Sequence, residues 1–353
     1  MLLRLKVFSL GLPRRTESLL AALLLGFLCI GGFINGVSSA DKYEEGILFK
    51  YYNSTRDVVH AFSFATNKSY EYDVSCNPSE KFAIVVFGWK VGCDKYFVQD
   101  LIGNLTKHRG GCVICMDYDV FAQVPSYLRL RGQKTQIQNI LKRKLQFLEA
   151  EGFNPDNGYL YGFSFGANMV LEAAKEFGVK KIKQIDVCEV VGMAMDATFA
   201  VAPNWRKAAK NVQCIHTSKQ YGTRFLSSCH QDWILGDCGE QQDAAPLSAF
   251  GSHGVCTLFY NSAFEHDFLA IEKPSNCTAD QEAEDWPEGF KMGYMETRKT
   301  GIRGQLFART YGKFPFNEPA EEPAVTETAN ALRFDPVDFS DYGDIANDFV
   351  TND

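Results

Sequence analysis

Between Gly158 and Phe177 an apolar, strand-like run, GYLYGF, passes through Ser164 directly into a segment with Ala167, Val170, Leu171, Ala174 and Phe177 at helical spacing. A strand that becomes a helix within one residue leaves few alternatives, because the helix must pack back onto the sheet that holds the strand. The alternation recurs along the chain. KFAIVVF (81–87) and CVICMDY (112–118) are continuous apolar runs of strand length, the first closed by Gly88 and the second opened by Gly110-Gly111. Strands covered on both faces read in this way. Residues 133–151 carry Ile137, Ile140, Leu141, Leu145 and Leu148 on one helical face, with Gly152 as the stop. KIKQIDV (181–187) and VQCIHT (212–217) supply two more strands. The expected fold class is α/β, a mostly parallel central sheet with helices on both faces, occupying residues 41–316. Ligands of such sheets bind at the carboxyl ends of the strands, which is where Ser164 falls.

Gly162-Phe163-Ser164-Phe165-Gly166 is a Gly-x-Ser-x-Gly pentapeptide in a strand–turn–helix context, the setting of a nucleophile elbow. A serine hydroxyl is a poor nucleophile until a base takes its proton. In this arrangement the chain order is serine, acid, histidine. Of the six histidines, His60 and His108 precede the serine. His216 lies inside an apolar strand and is expected to be a hydrogen-bonded core residue, while His230 and His266 remain alternative bases, though surface positions are expected for both. His253 sits in a Gly-Ser-His-Gly loop before the apolar segment TLFYNSAF and is the candidate base. The acid should follow the strand at 181–187; Glu189 lies just past its end, with Asp186 and Asp196 as alternatives. Glutamate can fill a role that consists of orienting the imidazole and stabilising its cation. Two backbone N–H groups must meet the oxyanion, and the candidates are those of Phe165, after the serine, and Trp89, in the loop that closes the strand at 81–87. Trp89, Phe121 and Trp233 are candidate walls of an acyl groove.

The N-terminus reads as a targeting segment. Arg4, Lys6, Arg14 and Arg15 precede the apolar run LLAALLLGFLCIGGFI (19–34), which is followed by the small residues Ser38, Ser39 and Ala40. Residues 1–40 are expected to be a signal peptide, the alternative being an uncleaved membrane anchor. Removing Cys29 with it leaves ten cysteines, an even number suited to bridges in an exported chain. Cys229–Cys238 and Cys256–Cys277 are possible local pairs, and Cys112 and Cys115, three apart on a strand, are expected to have separate fates. Sequons at Asn53, Asn67, Asn104 and Asn276 are candidate glycosylation sites of a secreted protein. Residues 317–353 hold ten acidic residues, one basic residue and three prolines, the composition of a disordered acidic tail. With a net charge of −7 and no basic stripe, nothing points to a nucleic-acid partner. No residue spacing implies a metal, and the chemistry needs no cofactor.

Taken in order, these blocks resemble the animal pancreatic-type lipases, within the α/β-hydrolase superfamily, over about residues 82–316. FGW (87–89) is similar to the family's His-Gly-aromatic oxyanion segment, with Phe87 in place of histidine, and CMDY (115–118) looks like its Val-Asp-Trp strand end. GFSFGAN resembles Gly-His-Ser-Leu-Gly-Ala-His, Ile215-His216-Thr217 matches an Ile-His-Thr strand, and His230-Gln231-Asp232-Trp233 is similar to His-x-Asp-Phe. Ser252-His253, followed by Phe259-Tyr260, matches the catalytic-histidine segment. The departure is at the acid: Glu189-Val190-Val191-Gly192-Met193 stands where the family has Asp-Pro-Ala-Gly-Pro. Fourteen residues between Cys238 and His253 make a short lid, similar to the phospholipase-like and insect yolk-protein branch, and no C-terminal β-sandwich domain is expected. The resemblance implies a secreted hydrolase of lipid carboxylic esters (a phospholipase A1-like enzyme or an acylglycerol lipase) acting through Ser164, His253 and Glu189. Its partners would be the lipid ester and possibly the lipid surface. The alternative is a catalytically impaired lipid-binding or yolk-type storage protein.

Overall fold

A computed structural model describes residues 41–53, 56–65, 76–192 and 201–319. The expected signal segment, nearly all of the acidic tail, Asn67 and Asp196 lie outside the described residues. Nine strands form one sheet: β1 (Leu48–Tyr52), β2 (Val58–Phe62), β3 (Phe82–Val86), β4 (Cys112–Asp117), β5 (Gly158–Phe163), β6 (Ile182–Cys188), β7 (Ala209–His216), β8 (Gln231–Leu235) and β9 (Gly304–Ala308). Their spatial order is β2-β1-β4-β3-β5-β6-β7-β8-β9. β1 runs antiparallel to both its neighbours, and every pairing from β4 onward to β9 is parallel.

The period-2 alternation of a strand divides the interior into two cores. Phe82, Ile84 and Val86 of β3 and Ile114 and Met116 of β4 face one side. There they meet α2 (Lys134–Ala150) and α3 (Phe165–Phe177). Ala83 and Val85, with Tyr159, Tyr161 and Phe163 of β5, face the other side, covered by α1 (Tyr96–His108) and α4 (Gly251–Ser262). The result is the expected helix–sheet–helix sandwich. Parallel strands buried on both faces are the ones legible as apolar runs. The strand at 158–163 is found with its expected bounds, and the others shift by a few residues at their ends.

All ten cysteines of the described residues are paired: Cys76–Cys112, Cys93–Cys115, Cys188–Cys256, Cys214–Cys229 and Cys238–Cys277. Both local pairs expected from spacing, Cys229–Cys238 and Cys256–Cys277, are therefore corrected. Bridges form between segments that the sheet brings together, and chain proximity is a poor guide to that. Cys112 and Cys115 do part company, to opposite faces of β4. Among the described residues, no helix is long and apolar enough to cross a membrane.

Candidate active site

β5 delivers its chain to the carboxyl edge of the sheet and turns at once into α3. Ser164 takes the turn with φ 57 and ψ −125, a backbone conformation that a residue with a side chain rarely adopts. The turn is held by Ser164 N–H donating to Cys188 O (3.0 Å) and Ala167 N–H donating to Ser164 O (2.9 Å). Gly166 must be glycine for steric reasons, since a Cβ there would lie 2.2 Å from Val86 O. Strand order, a strained serine at the β5–α3 corner and the flanking glycines together identify the architecture. This is an α/β-hydrolase fold.

Around that elbow three side chains converge, as the fold's chain order requires. Ser164 Oγ lies 2.9 Å from His253 Nε2, and His253 Nδ1 lies 2.8 Å from Glu189 Oε2. With its proton on Nδ1, the imidazole donates to the carboxylate and leaves Nε2 to accept the serine proton. His253 does not sit in a loop, as expected, but in the first turn of α4, which begins at Gly251. The helix hides the ring, which is 4 % exposed and packs against Phe163 and Tyr221, with ring centroids 5.2 and 5.6 Å away. Glu189 follows β6 immediately and is fully buried. Its second oxygen, Oε1, accepts from the N–H of Thr217 and from that of Ser218 (3.0 Å). Three donors thus orient one carboxylate. The two backbone donors escape sequence reasoning, because an Ile-His-Thr strand end shows no side chain that would mark them.

Gln242 braces the same corner. Its side chain donates to Thr217 O (3.1 Å) and Leu235 O (2.9 Å), and its N–H donates to Ser252 Oγ (3.0 Å). Asp186, an alternative acid from sequence, is buried elsewhere. It accepts from Tyr260 (2.5 Å) and Gln184 (2.9 Å), with Lys299 Nζ at 3.6 Å, and has no contact with His253.

The FGW segment approaches the serine from β3. A Cβ on Gly88 would come within 2.8 Å of Ser164 Cβ, so the loop passes directly over Ser164. Tyr118, fully buried, donates its hydroxyl to Phe87 O and fixes that loop. Trp89 turns its indole N–H to Val124 O (2.6 Å) and lines the cavity. Phe165, after the serine, opens α3. The cavity holds about 680 Å³, and Ser164 and His253 are among its lining residues. Trp89, Tyr127, Phe163, Tyr221 and Phe250 give it aromatic walls, and Gln220 and Gln241 add amides. Residues between Glu240 and Ser252 also line it. Two expected groove residues are not there. Trp233 is wholly buried and stacked on Phe290 (5.8 Å), and Phe121 stacks on Tyr43 (4.8 Å).

His216 is buried and pairs through Nε2 with Asp232 Oδ1 (3.1 Å), away from the cavity. His230, expected at the surface, is buried as well: its Nδ1 accepts from Val212 N–H (3.0 Å). Burial, and after it the charges of Arg303, Lys180 and Arg206, push His230 from an ordinary 6.5 down to about 4. The unfolded chain therefore binds this proton between pH 6.5 and about 4 and the folded chain does not, so stability falls as the pH drops through that window. Denaturation midpoints measured from pH 7 to 4 should fall more steeply for wild type than for His230→Asn, whose amide oxygen can still accept from Val212.

Of the candidate glycosylation sites, Asn276 is exposed and Asn53 sits in the β1–β2 turn, where its side chain accepts from Asp57 N–H (2.9 Å). Asn104 is within α1, its side-chain N–H₂ directed at Asn261 O (3.4 Å).

No protein-family model matches the chain, and no curated protein matches its sequence. Solved structures do. A phospholipase/carboxylesterase from Dyadobacter fermentans is 12% identical, over 41% of this chain and 70% of that one, at a TM-score of 0.30. An esterase from Pyrococcus furiosus is 18% identical over 41% and 65%, at 0.31. A cold-adapted esterase from an Arctic intertidal metagenomic library is 15% identical over 41% and 64%, at 0.32. Likenesses at this level carry no argument about activity; the fold assignment rests on the topology and the elbow.

Proposed function

We propose that the protein is a serine hydrolase of carboxylic esters. The observation that carries this reading is His253, which bridges Ser164 and Glu189 at 2.9 and 2.8 Å. Ser164 Oγ attacks the ester carbonyl while His253 Nε2 takes its proton. Glu189 holds the imidazole in the required tautomer and stabilises its cation. The N–H groups of Trp89 and Phe165 receive the oxyanion. His253 then returns its proton to the leaving alcohol, and a water activated by the same imidazole hydrolyses the acyl-enzyme.

The proposed substrate is a lipid ester, of phospholipase A1 or acylglycerol lipase type. Its support is the resemblance of the ordered sequence blocks, together with a cavity whose aromatic walls suit an acyl chain. The disulfides support the reading as a secreted protein, since such bonds persist in oxidising compartments. The sequons belong to the same proposal.

A fluorophosphonate probe tests the chemistry without knowledge of the substrate. Wild type should label covalently, and Ser164→Ala should not. A wild type that reacts no faster than Ser164→Ala would instead leave a lipid-binding or storage protein that keeps the pocket without the chemistry.

A further inference from the structure

We propose that the Cys188–Cys256 disulfide is the positioning element of the Glu189–His253 pair; the inference rests on the serine-hydrolase reading above. Cys188 is the last residue of β6, and Glu189 is the next residue along the chain. Cys256 lies three residues after His253 on α4, one helical turn along. The bond therefore ties the acid's strand to the base's helix within a residue of one and a turn of the other. Cys188 also anchors the third member, because its carbonyl accepts from Ser164 N–H at 3.0 Å. Among the five disulfides, only this one involves a residue adjacent in the chain to Ser164, Glu189 or His253.

The acid's own turn needs such support. Glu189 has φ 53, a left-handed conformation that its side chain disfavours. The residues after it, Val190-Val191-Gly192, include no proline to stiffen the turn. Backbone hydrogen bonds from Glu189 N–H to Ile215 O (2.8 Å) and from Thr223 N–H to Val190 O (2.7 Å) tie it to β7 and the loop beyond, not to α4. The covalent link to α4 is the disulfide, whose two cysteines are both wholly buried. It closes a chain separation of 68 residues; without it the two segments would keep their spacing by packing and by single hydrogen bonds, His253 to Glu189 (2.8 Å) and Thr217 Oγ1 to Ser252 O (2.7 Å). Relative placement matters here, because a misplacement of about 1 Å can cost ~10²-fold in rate.

The test compares wild type, Ser164→Ala, Cys188→Ala/Cys256→Ala and the remote-bridge control Cys76→Ala/Cys112→Ala. The readouts are fluorophosphonate labelling, and kcat and KM on a short-chain nitrophenyl ester, with thermal midpoints recorded for every variant. Cys188→Ala/Cys256→Val, which restores buried volume, serves if the first variant does not fold. The expected result is a kcat lowered by about tenfold to ~10²-fold with KM unchanged. The control should keep its rate at a comparable loss of thermal midpoint. In a Glu189→Gln background, removing the bridge should change the rate by no more than about twofold, because it acts through that carboxylate. A bridge-free variant as fast as wild type would overturn the inference alone. So would an equal loss in the control, or a loss that adds in full to Glu189→Gln. A wild type that labels no faster than Ser164→Ala would overturn the hydrolase reading and this inference with it.

Discussion

Replacing Glu189 by glutamine is expected to lower kcat/KM by up to ~10⁴-fold, the scale seen when a triad carboxylate becomes an amide. The surroundings of Glu189 explain why so small a change is severe. One carboxylate oxygen accepts from the N–H groups of Thr217 and Ser218, and the other faces His253 Nδ1 at 2.8 Å. Every partner is served by an acceptor. A glutamine has one acceptor oxygen and one N–H₂ group. If the oxygen stays with Thr217 and Ser218, the N–H₂ faces His253 and requires Nδ1 to accept. The ring proton then moves to Nε2, where it points at Ser164 and the base is lost. If the amide flips, its N–H₂ confronts two backbone donors in a buried site. Glu189→Asp keeps the charge but shortens the reach, and should fall between wild type and Glu189→Gln. Steady-state rates on a soluble ester, with labelling rates beside them, decide the matter. Undiminished rates in Glu189→Gln would remove it from the mechanism. Asp186 would not be its replacement, since that carboxylate is committed to Tyr260, Gln184 and Lys299.

The elements legible in the sequence are those whose burial is uniform. β3, β4 and β5 are covered on both faces and read as apolar runs. β8 is just as buried, yet its sequence, QDWIL, offers no such run. Gln231 and Asp232 are tolerated inside because Gln231 donates to Ile302 O (2.6 Å) and Asp232 Oδ1 pairs with His216 Nε2 (3.1 Å). Those partners come from other segments, so no local pattern reveals them. β2, at the sheet edge, is only partly covered, and its burial is too irregular to stand out. The convergence of Ser164, His253 and Glu189 is legible because chain order and strand ends constrain their positions. The disulfides are not, because their pairing depends on which strands become neighbours.

Lys144→Met is expected to stabilise the protein by about 3 kcal/mol at pH 7, and the gain should shrink as the pH rises towards 10.5. Lys144 follows Ile137, Ile140 and Leu141 at intervals of seven, four and three, which places it on the inner stripe of α2. It is wholly buried, and among the described residues its ammonium has no hydrogen-bond partner. Burial pushes it from an ordinary 10.5 down to about 7. A displacement from 10.5 to about 7 corresponds to roughly 5 kcal/mol. Four rings offset part of that. Nζ lies 3.7 Å from the centroid of Phe62, 4.9 Å from Phe147, 5.0 Å from Tyr51 and 5.2 Å from Phe49. A desolvated cation–π contact contributes about 2 kcal/mol, which leaves the net figure of about 3. The pH dependence has a definite sign. Between about 7 and 10.5 the unfolded chain holds the proton and the folded chain does not, so wild-type stability rises with pH through that window. Methionine has similar length, no charge and no such dependence. Denaturant unfolding of both proteins at pH 7 and pH 10 measures the difference directly. A wild type as stable as Lys144→Met at pH 7 would mean that the ring cluster fully compensates the buried charge. The lysine would then be a cation held by the rings of α2 and the β1–β2 edge, and not a cost carried by the fold.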